Sequence, residues 1–236
     1  MLSSMAGFIN RINGAATLIV AAFCFCGMLG LLVPSVIASW YAEDGEQIRD
    51  RLNAGNAVNN AELVSGIRAL ERSLSVQSNP SAWFSLGLLQ ATGINRVDLG
   101  TAQALLLRRA LDSHKAGLAA AAIDSAAWFR LARLRVMALG PTRRAGQAFA
   151  MSLRTAPSDR SLAFSRTAFG LQIQGTLARE GRDLLFHQIE TAWALEPERT
   201  VSLAVSINEL ATLATALSRD RMARRRFLEM VRGLDP

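Results

Sequence analysis

Residues 128–157 read WFRLARLRVMALGPTRRAGQAFAMSLRTAP, and how this stretch is divided decides the fold. Ala, Leu and Arg, which lose little side-chain freedom in a helix, dominate it, and the Val–Ile–Thr alternation of a strand is missing. Gly140-Pro141 places a stop in the middle and Ala156-Pro157 another at the end. Two helices joined by a tight turn are predicted. Trp128, Leu131 and Ala132 lie on the first, and Ala145, Phe149 and Ser152 on the second. The small residues would let the helices cross closely, with Trp128 and Phe149 filling the space beside them. These are core positions, not a reaction site.

The same grammar extends outward. Residues 61–76 place Leu63, Ile67, Leu70 and Leu74 at helical spacing. Asn79-Pro80 then offers a cap and a first-turn proline for a helix through Trp83, Leu86 and Leu89. Further stops stand at Glu196-Pro197 and Asp235-Pro236. Pro157, Pro197 and Pro236 are about 40 residues apart, and Pro80 precedes Pro157 by nearly two such steps. Each closes a helix with a similar ending: Ser152-Leu153, Ala192-Trp193 and Val231. A recurrence of that length marks a solenoid, in which one helix pair cannot bury its own apolar face and stacks on the next. The expected class is all-α.

This pattern resembles the tetratricopeptide (TPR) family, whose hairpins carry Trp, Leu and Gly in the first helix and Ala, Phe, Ala and Pro in the second. Trp83, Leu86 and Gly87 stand in the first-helix arrangement. The fullest unit is Trp128, Leu131, Ala132, Ala145, Phe149, Ser152 and Pro157. A third ends with Ile189, Ala192 and Pro197 and lacks a first-helix tryptophan. The resemblance spans residues 61–236. It departs from the family in period, about 40 against about 34, and in its tyrosines, of which only Tyr41 is present. An unrelated α-helical bundle is the alternative. The resemblance implies a surface for other proteins.

Upstream lies a different composition. Between Arg11 and Glu43 nothing is charged, and residues 15–38 are almost wholly apolar. At ~1.5 Å per residue that run covers a hydrocarbon core of ~30 Å with some tilt. Trp40 and Tyr41 follow it, where an aromatic belt meets the lipid–water boundary. The expected division is residues 1–43 as tail and transmembrane anchor, 44–60 as a polar juxtamembrane spacer or helix containing Gly45 and Gly55, and 61–236 as the TPR-like helical repeat domain. A cleaved signal peptide, with Val36-Ile37-Ala38 after Pro34 as its cleavage region, is the competing reading, but its apolar core runs only ~7–15 residues. Arg11 before the span and Arg49 and Arg51 after it nearly balance. The short tail with one arginine resembles a signal-anchor start, which places the helical domain on the periplasmic side of the inner (plasma) membrane. Within the span Ala22, Cys26 and Gly30 recur every four residues, a packing stripe for a second helix or the ordinary small residues of any membrane helix.

The chain carries 26 basic and 19 acidic residues, for a net charge of +7, and Lys115 is its single lysine. The arginines are interleaved with acids along most of the chain, as on solvated helix faces. They concentrate near the end: Arg219, Arg221, Arg224, Arg225, Arg226 and Arg232 stand among Met222, Phe227, Leu228, Met230 and Val231. Such a helix either closes the stack or sets Arg221, Arg224, Arg225 and Arg226 against an anionic surface. No helix-turn-helix or RNA-binding signature supports nucleic acid as a partner.

Candidates for chemistry are few. Cys24 and Cys26 are the only cysteines. His187 shares a helix face with Asp183 and Glu190, which reads as a surface ion pair because a zinc site needs a further ligand. His114, beside Lys115, is expected at a helix end where cations satisfy the last carbonyls. GxGxxG, GxxxxGK[ST], GxSxG and HExxH are all missing from the sequence. No catalytic residue, cofactor or metal is expected, and the chain is not expected to be an enzyme. An enzyme acting on an envelope polymer would need acids gathered in a pocket. The expected function is a membrane-anchored protein–protein interaction scaffold or assembly factor of the bacterial envelope, with membrane or envelope proteins as partners and the bilayer held by the N-terminal helix. The alternative is a structural accessory subunit bound mainly through that helix.

Overall fold

The computed structural model describes the backbone of residues 2–96 and 100–233, and the side chains from residue 25 onward apart from 26, 29 and 31 within that range. The described residues form eleven α-helices and three short 3₁₀ turns, with no strand among them. The class is all-α. The chain divides into two compact units, Met1–Ala82 and Trp83–Pro236.

The first unit is built on α1 (Leu2–Asn53) and α2 (Asn60–Val76). Gly45 lies against Leu70 and Gly66, and a Cβ there would come within 2.9 Å of the Gly66 carbonyl oxygen. Further along, Arg51 pairs with Glu62 at 2.7 Å. Positions on α1 rise as those on α2 fall, so the two helices run antiparallel. Asn59 and Glu62 close a capping box: Asn59 Oδ1 accepts the Glu62 N–H at 2.9 Å, and a Glu62 oxygen accepts the Asn59 N–H at 2.7 Å. The Arg51 hydrogen bond first, and the Asn59 N–H after it, hold the Glu62 carboxyl below its usual range.

Of the juxtamembrane stretch, residues 44–53 continue α1 as helix and residues 54–59 separate it from α2. Ala42, Gly45 and Ile48 are buried at three-residue spacing, and Gly45 is the crossing point with α2. The anchor reading falls partly outside the described residues, because the side chains of residues 15–24 are among those not described. Among the described residues no helix is long and apolar enough to cross a membrane.

The second unit takes in α3 (Pro80–Ile94), α4 (Thr101–Ala120), α5 (Ser125–Leu139), α6 (Arg143–Thr155), α7 (Ala163–Ile173), α8 (Arg179–Leu195), α9 (Pro197–Ser206), α10 (Leu210–Ala216) and α11 (Arg221–Arg232). Its starts and stops follow local chemistry. Asn79 caps α3 by accepting the Ser81 N–H at 2.9 Å, and Asp124 caps α5 through the Ala127 N–H at 2.7 Å. Gly140, at φ 71, ends α5 in the left-handed region. Thr142 and Asp220 cap α6 and α11. Pro157 and Pro197 each stand two residues beyond a helix end, Thr155 and Leu195, and Pro197 also opens α9. Pro236 lies outside the described residues.

Packing runs along the chain: α4 on α5, α5 on α6, α6 and α7 on α8, and α8 on α9 and α10. At its centre sit Phe129, Phe149 and Phe169 from α5, α6 and α7, with ring centroids 5.5–6.3 Å apart. Ile189, fully buried, follows from α8. These four positions are 20 residues apart, one per helix, so two helices make the 40-residue interval from Pro157 to Pro197.

Candidate interaction surfaces

The signature residues are the frame, not the surface. Leu86, Gly87, Leu131, Ala132, Ala145, Phe149, Ser152 and Ala192 are buried; Trp83, Trp128 and Pro197 are half-buried, and Pro157 is exposed. Trp128 donates its indole N–H to the Ala122 carbonyl at 2.8 Å. Ser152 donates to the Ser125 carbonyl at 2.7 Å, tying α6 to the start of α5.

Ser152 also receives a residue that the sequence reading passed over. Arg166, on α7, is completely buried. Its guanidinium donates to Ser152 Oγ at 3.1 Å, to the Ser152 carbonyl at 3.0 Å and to the Ala156 carbonyl at 2.8 Å. A charged fork from the next helix thus serves the Ser152 carbonyl in the last turn of α6 and the Ala156 carbonyl at its C-cap, beside weaker bonds from the Thr155 hydroxyl and the Asp159 N–H. Burial pulls the Arg166 pKa below the usual arginine range, with Asp159 opposing the shift. In a chain with so many arginines, nothing local marks this one.

His114 corrects the helix-end expectation. It is fully buried on α4 under Gly87, and its Nδ1 lies 2.9 Å from the Ala110 carbonyl. Desolvation lowers its pKa to about 4, so the ring is neutral at neutral pH. Nδ1 must then carry the hydrogen, and Nε2 stands without a hydrogen-bond partner. His187 is exposed and lies 3.4 Å from Glu190, as a surface pair. Among the described residues no three His, Cys, Asp or Glu side chains are grouped to hold a metal ion.

Two open grooves lie on the second unit. One, of about 210 Å³, is bordered by Leu88 and Thr92 on α3, Asn95 just after it, and Arg133 and Met137 on α5, with His114 at its base. The other, also about 210 Å³, follows α6 past Arg143, Gln147 and Arg154 to Glu180 on α8, where Arg154 and Glu180 pair at 2.6 Å. Both combine guanidinium groups with aliphatic walls, a chemistry suited to acidic segments with apolar side chains.

The arginine-rich α11 buries Ala223 and Phe227 and turns Arg221, Arg224, Arg225 and Arg226 outward. Arg225 pairs with Glu229 at 3.1 Å and Arg226 with Glu198 at 2.8 Å. Arg221 and Arg224 have no carboxylate partner among the described residues. The Ala22–Cys26–Gly30 stripe is described only at Gly30, where an added Cβ would meet open space; the side chains of Ala22 and Cys26 lie outside the described residues.

No family model matches the sequence, and no curated protein matches it. Among solved structures the chain is similar to a thermophilic TPR protein of Thermus thermophilus, at 16% identity and a TM-score of 0.47, over 80% of this chain and 98% of that one.

Proposed function

We propose that the chain is a membrane-anchored docking protein of the bacterial cell envelope. Residues 15–38 hold it in the inner membrane, and the helices of the second unit present grooves to protein partners on the periplasmic side. The observation that carries this reading is how the second unit divides its surface. Its helices bury apolar faces on one another, α5 to α8 at a 20-residue step, and the faces left over form shallow arginine-edged grooves. Such a stack offers extended contact area without needing catalytic geometry. The anchor rests on α1 itself. Phe25, Met28, Leu32, Val33, Val36, Ile37 and Trp40 are all exposed along it, a concentration of apolar surface that hydrocarbon would cover.

The test is co-purification of the full chain from membranes in mild detergent, with mass spectrometry of what accompanies it. Stable envelope partners are expected. Arg133→Glu with Met137→Asp, both exposed, should release those partners while the helical signal stays intact. A chain lacking residues 1–43 should still capture them. Partners that survive the groove variant and leave with the deletion would instead assign binding to the anchor, the role of an accessory subunit. A protein that emerges alone overturns the docking role.

A further inference from the structure

We infer that the seam between α1 and α2 is a binding site for a phosphoethanolamine headgroup, that is, a phosphate and a primary ammonium on one lipid. The inference rests on the anchor at residues 15–38. Two adjoining cavities of about 580 and 310 Å³ open along this seam, and Asp44, Ala69 and Arg72 border both. Arg68 joins Arg72 in the larger, and Glu43, Trp40 and Tyr41 join it in the smaller. Arg68 and Arg72 are one turn apart on α2, exposed, and in no ion pair among the described residues. The Trp40 and Tyr41 rings sit 5.4 Å apart at the membrane end of the seam.

The antiparallel register sets the depth. Gly45 faces Gly66 and Leu70, and Arg51 faces Glu62, so Arg72 stands level with Tyr41 and α2 ends level with the last apolar residues of α1. Arg72 therefore lies roughly 5 Å beyond the apolar run, within the ~5–7 Å headgroup layer that flanks the hydrocarbon on each side.

Charge selects the ligand. Two guanidinium groups offer forked donors to a phosphate. Asp44 and Glu43 stand beside them, so a purely anionic group meets repulsion and a purely cationic one meets the arginines. A zwitterion with phosphate at one end and ammonium at the other satisfies both. A choline group cannot donate hydrogen bonds to the carboxylates and would have only the ring faces.

The test loads the full chain into nanodiscs holding equal parts of ethanolamine, choline and glycerol phospholipids, extracts it into lipid-free detergent and identifies retained lipid by native mass spectrometry. Ethanolamine lipid should be enriched about tenfold over each of the others. Arg68→Gln with Arg72→Gln should abolish the enrichment, whereas Asp44→Asn should turn it toward the glycerol lipid. The second variant gains a preference, so loss of fold cannot explain the pair of results. Equal retention of the three lipids, a choline preference, or a preference unchanged in both variants overturns the assignment. Glycerophosphoethanolamine, which is water-soluble, separates the lipid from the free headgroup: failure to displace retained lipid assigns the lipid, and displacement assigns the headgroup alone. If the chain does not enter the bilayer, the anchor falls. Calorimetric binding of glycerophosphoethanolamine that the double arginine variant loses would then keep the site, and its absence would remove it.

Discussion

Arg166 and His114 are polar side chains sealed inside the second unit, and each makes a measurable demand on stability. Truncating Arg166 leaves the Ser152 and Ala156 carbonyls with only the long bonds from the Thr155 hydroxyl at 3.3 Å and the Asp159 N–H at 3.4 Å, and opens a cavity at the end of α6. Arg166→Ala is expected to lower unfolding stability by about 3 kcal/mol, read from denaturant titration of the full chain. His114 behaves oppositely with acid. Its folded pKa, about 4, lies below its ordinary value of 6.5, so the unfolded chain takes up the proton first. The stability this group contributes is complete above about pH 6.5 and is lost as pH falls toward about 4, by up to ~3 kcal/mol. Wild type should therefore lose more stability than His114→Leu across that window, and equal losses would refute the buried neutral ring. Gly87→Ala would drive a methyl into the same ring and should cost about 2 kcal/mol in a thermal melt. Neither burial was legible in the sequence. Arg166 looks like its exposed neighbours, and the flanking Lys115 makes His114 look like a surface residue. What buries them comes from other helices.

At the scale of elements the sequence was more informative. Helix ends are written by capping side chains, glycine and proline acting within a few residues, so Asn79-Pro80, Gly140-Pro141 and Glu196-Pro197 could be read directly. The role of Gly45 is not written locally in this way: it depends on Gly66 and Leu70, some twenty residues away and on another helix. The aromatic ladder was half visible. The prolines showed the forty-residue interval, but the shorter step, one buried position per helix at 129, 149, 169 and 189, emerges only once the rings touch. Phe169→Ala, which empties the middle of that ladder, should cost about 3–5 kcal/mol, measured by denaturant unfolding. Asn59→Ala removes one half of the capping box and should cost about 1 kcal/mol of the α1–α2 hairpin, seen as faster amide exchange at the start of α2.

At the scale of the whole chain, the second unit owns its core. The large buried cluster runs from Phe84 to Phe227 without drawing on earlier residues. A polypeptide of residues 79–236 is therefore expected to unfold in one cooperative transition, and a broad, non-cooperative melt would show that it depends on the first unit. The ladder also has a bearing on ancestry. A tandem duplication of forty codons would add one complete hairpin and keep every later helix on its own side of the stack. An insertion of twenty would make first helices of hairpins into second ones from that point onward. Kin of this chain should accordingly differ in length by whole hairpins, with the joins falling at the proline that follows each second helix.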